Sequence, residues 1–486
     1  MGDVHMEKNV KVKRKLKTRH ISMIAIGGAI GTGLFMSSGL AISQAGPGGA
    51  LLAYVLIGAM VYFLMTGVGE MATYLPVSGS FATYGNRFVD PAFGFAVGWN
   101  YWLNGIITIA VDISTAALVM RYWFPHTSLL LWGLLFFALI FTLNAFSVKF
   151  YGESEFWFAL IKVITIILFL IIGVLTIFGI LGGEFIGTKN FTTGNAPFNG
   201  GFLAFLGIFL IAGFSFQGSE SVGIMAGESA TPEKSIPKAI KQVFWRILLF
   251  YILTILVIGL IIPYTSPALM GGSDITTSPF TLVFERAGLA FVASIMNAII
   301  LTSILSSGSS VLFAASRMLF SMGHDGAAGK IFQRTNRFGI PFVALIICFV
   351  ATFAVYSLSF VSPNAYLWLV NASGLTGFIA WAGIAISHYR FRRAYVKQNK
   401  DLSRLKYKAP WFPIGSIIAL ALCLLVIIGQ NYQSVLNFKW DEVLISYAAL
   451  PIFIILYLSF KFKNKTHIIP LKDVDLTQNT DYQSEK

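Results

Sequence analysis

Two membrane-length apolar stretches of this chain are interrupted at their centres by glycine, and nothing else in the sequence limits the fold as much. Residues 21–42 carry Gly27, Gly28, Gly31, Thr32 and Gly33 at their middle, and residues 202–225 are interrupted by the run from Gly213 to Glu220. Glycine has the most backbone freedom to lose in a helix, so each cluster predicts an unwound segment. Backbone N–H and C=O groups released at that depth cannot face lipid and must be buried in protein or line a wet cavity. Two broken helices in corresponding places point to the substrate site of a secondary transporter.

Composition agrees. Hydrophobic residues make up 56% and charged residues 12% of the chain, about half the roughly 25% charged content of soluble domains. Mean hydropathy is +0.74. A bilayer crossing needs about 20 apolar residues. Twelve candidate spans lie near 21–42, 49–73, 92–120, 128–148, 156–182, 202–225, 243–263, 287–312, 341–360, 364–386, 412–430 and 443–460. The apolar pattern of the eighth runs on toward Arg317. No segment outside the spans is long enough for a core of its own. The expected organisation is a basic N-terminal segment (1–20), one transmembrane domain (21–460) and a short, polar, mobile tail (461–486).

The net charge of +14 is distributed by side. Basic residues crowd positions 8–19, the connection after span six (Lys234, Lys238, Lys241, Arg246), that after span eight (Arg317, Lys330, Arg334, Arg337) and the stretch from Arg390 to Lys408. The opposite loops show little beyond Arg121, Lys189 and Lys439. This is the positive-inside pattern, which puts both termini in the cytoplasm. A basic groove with interleaved aromatics is missing, which disfavours nucleic acid. The basic start before an apolar run is signal-like, but the first span is too long and carries the break, so it is expected to be retained. Cys348 and Cys423 fall inside spans, and a disulfide is not expected. With no phosphate-binding loop, no Ser/His/Asp set and no metal-ligand spacing, the chain reads neither as an ATP-driven pump nor as an enzyme, and no cofactor is implied.

Three ionisable residues inside spans bear on function. Glu220 ends the second break, where an intramembrane carboxylate faces a cavity or a partner; the plainer alternative is a hydrogen bond tying the broken helix to a neighbour. Lys162 lies about eight residues into span five, roughly 12 Å of helix, and either acts there or snorkels to the cytoplasmic interface. Asp112 is near the outer end of span three, where a solvated or helix-pairing role is expected. Tyr101 and Asn104, three apart, share one helix face. Ser306, Ser307, Ser309 and Ser310 around Gly308 read as close helix packing.

The motifs Gly27-Gly-Ala-Ile-Gly-Thr-Gly33, Ala45-Gly-Pro-Gly48, Pro76-Val-Ser-Gly-Ser80 with Tyr84, and Phe214-Ser-Phe-Gln-Gly-Ser-Glu220 occur in order. Together they resemble the amino acid permeases of the amino acid–polyamine–organocation superfamily, and within it the lysine-specific permeases. Gly98-Trp-Asn-Tyr-Trp102 and Ser387-His-Tyr-Arg-Phe-Arg-Arg393 extend the match. The resemblance implies an all-α integral membrane protein of LeuT type. Its 12 transmembrane helices would form a 5+5 inverted repeat, with helices 1 and 6 broken and two peripheral helices after them. It also implies that backbone amides of Gly31, Thr32 and Gly33 hold the substrate carboxylate, as the positive end of a half-helix would favour.

By the same resemblance, carbonyls near Ile26 and from Ala212 to Ser215 hold the α-amino group, so Gly213, Phe214, Ser215 and Phe216 line the site with Tyr101 and Asn104. Gln217 resembles the cationic members, and Glu220 closes the set. Lys162 matches a span-five lysine of proton-coupled relatives, so Lys162 and Glu220 are the coupling candidates. Gly105 stands where the family commonly has an aromatic, implying a roomier side-chain pocket, and Ser221-Val222 replaces a bulkier pair. The implied function is proton-coupled import of cationic L-amino acids, lysine first, across the cell membrane by alternating access. An arginine or histidine permease, or a membrane amino-acid sensor, are the alternatives. The expected partners are the amino acid, protons and the lipid bilayer, and no nucleic acid.

Overall fold

Where the glycines cluster, the helices stop. The computed structural model describes residues 16–269, 278–360 and 365–478, and these are helices and loops with one isolated β-bridge, Leu16 to Ser229. Helix α1 (Thr18–Gly27) ends at the first break, and the chain regains a regular helix through a π-helical turn, Gly33–Ser37, that leads into α2 (Ser38–Tyr74). Helix α2 turns a corner at Gly46 (φ 77°), so it holds the end of the first predicted span and all of the second. The corner is set by a loop: Gly48 and Gly49 amides donate to the Pro197 carbonyl at 2.9 and 3.2 Å. A Cβ at Gly46 would lie 2.5 Å from that same oxygen.

Next come α3 (Ser80–Phe88), α4 (Pro91–Met120), α5 (Leu129–Ala145) and α6 (Val148–Ile177). Helices α7 (Gly201–Gly207) and α8 (Phe209–Phe216) reach the second break, which turns at Gly218 (φ 88°), and α9 (Ser221–Met225) leaves it. Helix α10 (Pro232–Arg246) passes through a π-helical turn, Ile247–Ile252, into α11 (Leu253–Ile261). Helices α12 (Pro279–Arg286), α13 (Ala290–His324), α14 (Phe342–Leu358) and α15 (Ala365–Lys397) follow. The chain closes with α16 (Ile414–Gly429), α17 (Tyr432–Leu436), α18 (Trp440–Tyr447) and α19 (Ala449–Asn464). Among the described residues seven helices are long and apolar enough to cross a membrane, with three shorter apolar helices beside them. The architecture is all-α.

Helix α4 is the hub, packed by α13, α15 and α3, while α1 lies against α6 and α10, and α8 against α2. Outward faces of α5, α14, α16 and α19 expose Leu131, Val350, Ile428 and Ile455, as lipid-facing helices do.

The structure departs from the sequence reading in two places. Several helices outrun their predicted spans: α13 continues to His324, α15 to Lys397, and the seventh span begins already at Pro232. Polar residues end a hydropathic stretch, but they do not end a helix when a partner waits for them, as Glu228 does for Arg317 at 2.8 Å. The tail is also held rather than mobile over its described part. Ile469 N–H donates to Val89 at 2.9 Å, Tyr74 Oη to the Leu476 carbonyl at 2.5 Å, Gln398 Nε2 to the Val474 carbonyl at 2.7 Å, and Arg87 pairs with Asp475 at 2.6 Å. Val474 and Leu476 are buried, which a tail of purely polar contacts would not achieve.

The two broken helices touch backbone to backbone. A Cβ at Gly33 would overlap the Ser215 Cα and lie 2.8 Å from its amide nitrogen, and one at Gly31 would sit 2.6 Å from Ser307 Cβ. Gly33→Ala should therefore destabilise the purified protein in detergent by about 1–3 kcal/mol, the usual cost of overpacking. Gly207→Ala, which would meet nothing within 4 Å, should leave the unfolding midpoint unchanged or slightly raised. Unfolding curves of the two variants check the contrast.

Candidate functional site

The first break frees carbonyls, and three of them are met by donors from elsewhere in the bundle. Arg246 Nη1 donates to the Ala25 carbonyl at 2.5 Å, Lys162 Nζ to that of Gly27 at 3.1 Å, and Tyr251 Oη to that of Ala29 at 3.0 Å. Ile26 is half-buried between them. On the far side of the break, Gly31, Thr32 and Gly33 open the next helix, where first-turn amides have no intrahelical acceptor. The Thr32 hydroxyl donates to Asp112 Oδ1 at 2.6 Å.

The second break is tied down more by side chains. Ser215 Oγ and Tyr54 Oη are 2.7 Å apart, and the Phe216 ring stacks on Tyr251 with centroids 4.2 Å apart. Phe214 packs with Ile107, Val111 and Val370, and Gly213 lies directly on the Phe378 ring. Glu220 accepts from Gly218 N–H at 3.2 Å and from Trp381 Nε1 at 3.1 Å, with the Tyr101 hydroxyl beside it. Arg246 Nη2 reaches Ser219 Oγ at 2.5 Å, so one guanidinium spans both breaks.

Tyr101 and Asn104 do point from one face of α4 toward the second break, but they meet different residues. Tyr101 reaches Glu220 and packs edge-on against Phe81. Asn104 Nδ2 donates to the Ser373 carbonyl at 2.8 Å, to Thr376 Oγ1 at 3.0 Å and to Gln217 Oε1 at 3.3 Å. Gln217 Oε1 also accepts from Ser373 Oγ at 3.0 Å, while its Nε2 donates to the Ser373 carbonyl at 2.8 Å. Gln217 is a clamp between the second break and α15, with its acceptor already engaged.

Two expectations are corrected here, and one of the two readings of Lys162 falls. Asp112 is not solvated but 1% exposed beside the first break, where it takes the other expected role and pairs α4 with the first broken helix through Thr32. It stands eight residues inside the end of α4, about 12 Å by helical rise, so its place in the sequence overstated its closeness to the surface. Gly105 leaves no room in a pocket, because it faces α13 and a Cβ there would lie 3.0 Å from Ala315 Cβ. Lys162 does not snorkel: it is 0% exposed and its ammonium turns to the Gly27 carbonyl.

Other residues of this cluster escaped sequence reasoning. Arg246 was counted among cytoplasmic charges, but it is buried where the two breaks meet. Trp381 and Ser373 carry no sequence signal of their own. Glu155 had one: it precedes Lys162 by seven residues, two turns along the same helix face, and it is buried against Ser306 at 2.7 Å. Together these groups offer amide donors, carbonyl acceptors and a carboxylate around one buried point. Among the described residues no group of His, Cys, Asp and Glu is placed to hold a metal ion.

Known proteins resemble this sequence over nearly its whole length. A family model described as amino acid permease matches residues 20–472. The lysine-specific permease of Lactococcus lactis subsp. cremoris is 56% identical over 97% of this chain and 94% of its own. That of Escherichia coli K12 is 54% identical over 96% of this chain and 97% of its own. The histidine permease of the same Lactococcus strain is 54% identical over 97% of this chain and 100% of its own. Among solved structures, the manganese transporter of Eremococcus coleocola is similar with a TM-score of 0.54 at 13% identity, covering 96% of each chain; that likeness is one of fold alone.

The clamp can be measured without any ligand. Gln217→Ala and Ser373→Ala should each destabilise the protein, and the double variant should fall short of their sum by about 0.5–3 kcal/mol, the range for residues in one hydrogen-bond network. Denaturant unfolding in detergent of the wild type, both single variants and the double variant gives the coupling.

Proposed function

Because the chain belongs to the amino acid permease family, and so is a multi-pass membrane protein that transports amino acids and not an enzyme, we propose that it imports cationic L-amino acids, lysine first, together with protons. It does so across the cell membrane by alternating access, with twelve crossings and both termini in the cytoplasm. The orientation is supported by Lys234, Lys238, Lys241, Lys330, Arg334 and Arg337, which still weight one side after the buried Arg246 and Arg317 are set aside.

The observation that carries the coupling is the Lys162 ammonium, buried with its donor on the terminal carbonyl of α1. A protonated lysine offers three donors and a charge, and a neutral amine loses the charge and weakens the bond. Losing the proton loosens the inner half of the first broken helix and so joins protonation to the opening of the site. Asp112, bonded to Thr32 on the other half, balances the charge of Lys162 from α4.

For the substrate, the carboxylate sits on the amides of Gly31, Thr32 and Gly33, and the α-amino group sits on carbonyls near Ile26 and from Ala212 to Ser215. The side-chain ammonium pairs with Glu220, the group whose charge-assisted bond is strongest there, with Tyr101 beside it. Gln217 and Asn104, engaged with α15, shape the wall instead of reading the charge. Lysine comes first because two relatives covering nearly the whole chain are lysine-specific permeases; histidine is the second reading, on the strength of the equally similar histidine permease. The site is closed, with Glu220 2% exposed, as an occluded carrier requires.

Purified protein in proteoliposomes tests all of this. Radiolabelled lysine should accumulate in sodium-free buffer when the outside is acidic, and a protonophore should collapse the accumulation. Lys162→Ala should fold and lose accumulation. Strict sodium dependence, or an alanine variant that accumulates normally, overturns the coupling. Among twenty competing amino acids lysine should compete best and cadaverine, which lacks the carboxylate, poorly; histidine outcompeting lysine selects the second reading. Glu220→Gln should reduce lysine uptake severely, and unchanged lysine uptake would remove Glu220 from the site.

A further inference from the structure

One buried acid has no part in the scheme above. Glu155 is 1% exposed, and its Oε2 accepts from Ser306 Oγ at 2.7 Å while its Oε1 has no hydrogen-bond partner. It lies on the face of α6 that carries Lys162, two turns toward the helix N-terminus. A carboxylate in a membrane interior is costly and is kept where it moves or meets charge. A purely structural role would be served as well by glutamine, whose amide fills the same space without a charge.

The surroundings extend the acid into a file. Helix α13 turns Ser306, Ser309 and Ser310 toward it. Tyr151, one turn farther along α6, donates to Ser310 Oγ at 3.2 Å and stacks on Phe313 with centroids 4.1 Å apart. The Arg317 guanidinium sits 3.7 Å from the Phe313 ring centroid and pairs with Glu228 at 2.8 Å. At the other end Asp112 and Lys162 stand by the first break. The titratable and charged groups around Glu155 are therefore Lys162 and Tyr151 on its own helix, Asp112 on α4, and Arg317 with Glu228 at the inner end. Nearby on α1, His20 packs over Gly152 and faces Glu153 instead.

We propose that Glu155 is the proton relay below Lys162, and that the hydroxyls of Ser306, Ser310 and Tyr151 lead the coupling proton from it toward the cytoplasm. This rests on the proton-coupled reading above. Lys162 Nζ gives up one proton and becomes a neutral amine, and the Glu155 carboxylate takes one and becomes a neutral acid, so the pair exchanges two charges for none. The acid then releases the proton to water at the inner end. Lys162 takes its next proton from the outer water when the site opens outward, so one proton crosses in each cycle.

The test separates proton movement from lysine movement. Proteoliposomes with an entrapped pH dye report proton entry driven by lysine, and lysine–lysine counterflow reports carrier cycling that needs no net proton. Glu155→Gln should lose lysine-driven proton entry and gradient-driven accumulation while counterflow persists, and Glu155→Asp should restore part of the proton flux. Wild-type proton flux in Glu155→Gln overturns this proposal and leaves proton coupling intact. A wild type that carries lysine with no proton entry overturns the coupling and the relay together. If Glu155→Gln does not reach the membrane, Glu155→Asp decides: proton flux reduced more than counterflow supports the relay, and equal reduction of both overturns it.

Discussion

Breaking a helix inside a membrane leaves polar backbone that neither lipid nor its own helix can satisfy, and much of the inner structure answers that one requirement. The carbonyls of Ala25, Gly27 and Ala29 take donors from Arg246, Lys162 and Tyr251, which come from α10, α6 and the π-helical turn after α10. Two of the three donors are cations. Burying a cation is costly unless it is bonded and electrostatically balanced, and the carboxylates of Asp112, Glu155 and Glu220 supply that balance from three different helices. The acids and bases around the breaks are thus one set, required by the breaks rather than added to them.

Because charged side chains hold this backbone, a change in charge would alter that hold. A proton lost from Lys162 removes a charged donor from the end of α1, and the half-helix that ends there is the one that packs on α6 and α10. The other half is held differently, through Thr32 on Asp112 and through the close approach of Gly33 to Ser215. The two halves of the first broken helix therefore answer to different partners. That asymmetry is what a carrier needs in order to open one side at a time.

The breaks, the spans and the all-α class could be read from the chain because glycine clusters and apolar length are local properties. What could not be read depended on which helix lies opposite. Arg246 and Arg317 look cytoplasmic when charges are counted along the sequence, since counting cannot tell a solvated cation from one buried on Ser219 or Glu228. Gly105 suggested space, but whether a missing side chain leaves a cavity or admits a neighbour is decided by Ala315, more than two hundred residues away. Gln217 resembles the cationic members in sequence, but its side-chain oxygen is engaged by Ser373 and Asn104 from two other helices. Glu155 is legible in principle through its spacing from Lys162, but it sits near the start of a span, where charge is ordinary.

In the proposed orientation the inner end is held by ion pairs as well as by apolar contact, and the ion pairs suit a gate. Arg317 and Glu228 are 1% and 0% exposed, and Glu70 is held by Arg392, by His388 at 3.3 Å and by the Ala409 amide at 2.7 Å. The Leu16 amide and carbonyl close a further seam on Glu228 and Ala230. Buried ion pairs add little net stability over well-packed apolar residues, because desolvation offsets most of their attraction. That near-balance suits a closure that has to part. When the inner side opens, separated ions regain the water they lost, whereas an apolar plug of the same area would expose its whole surface at about 25 cal/mol per Å². A closure built of ions would then open at modest cost once water reached it.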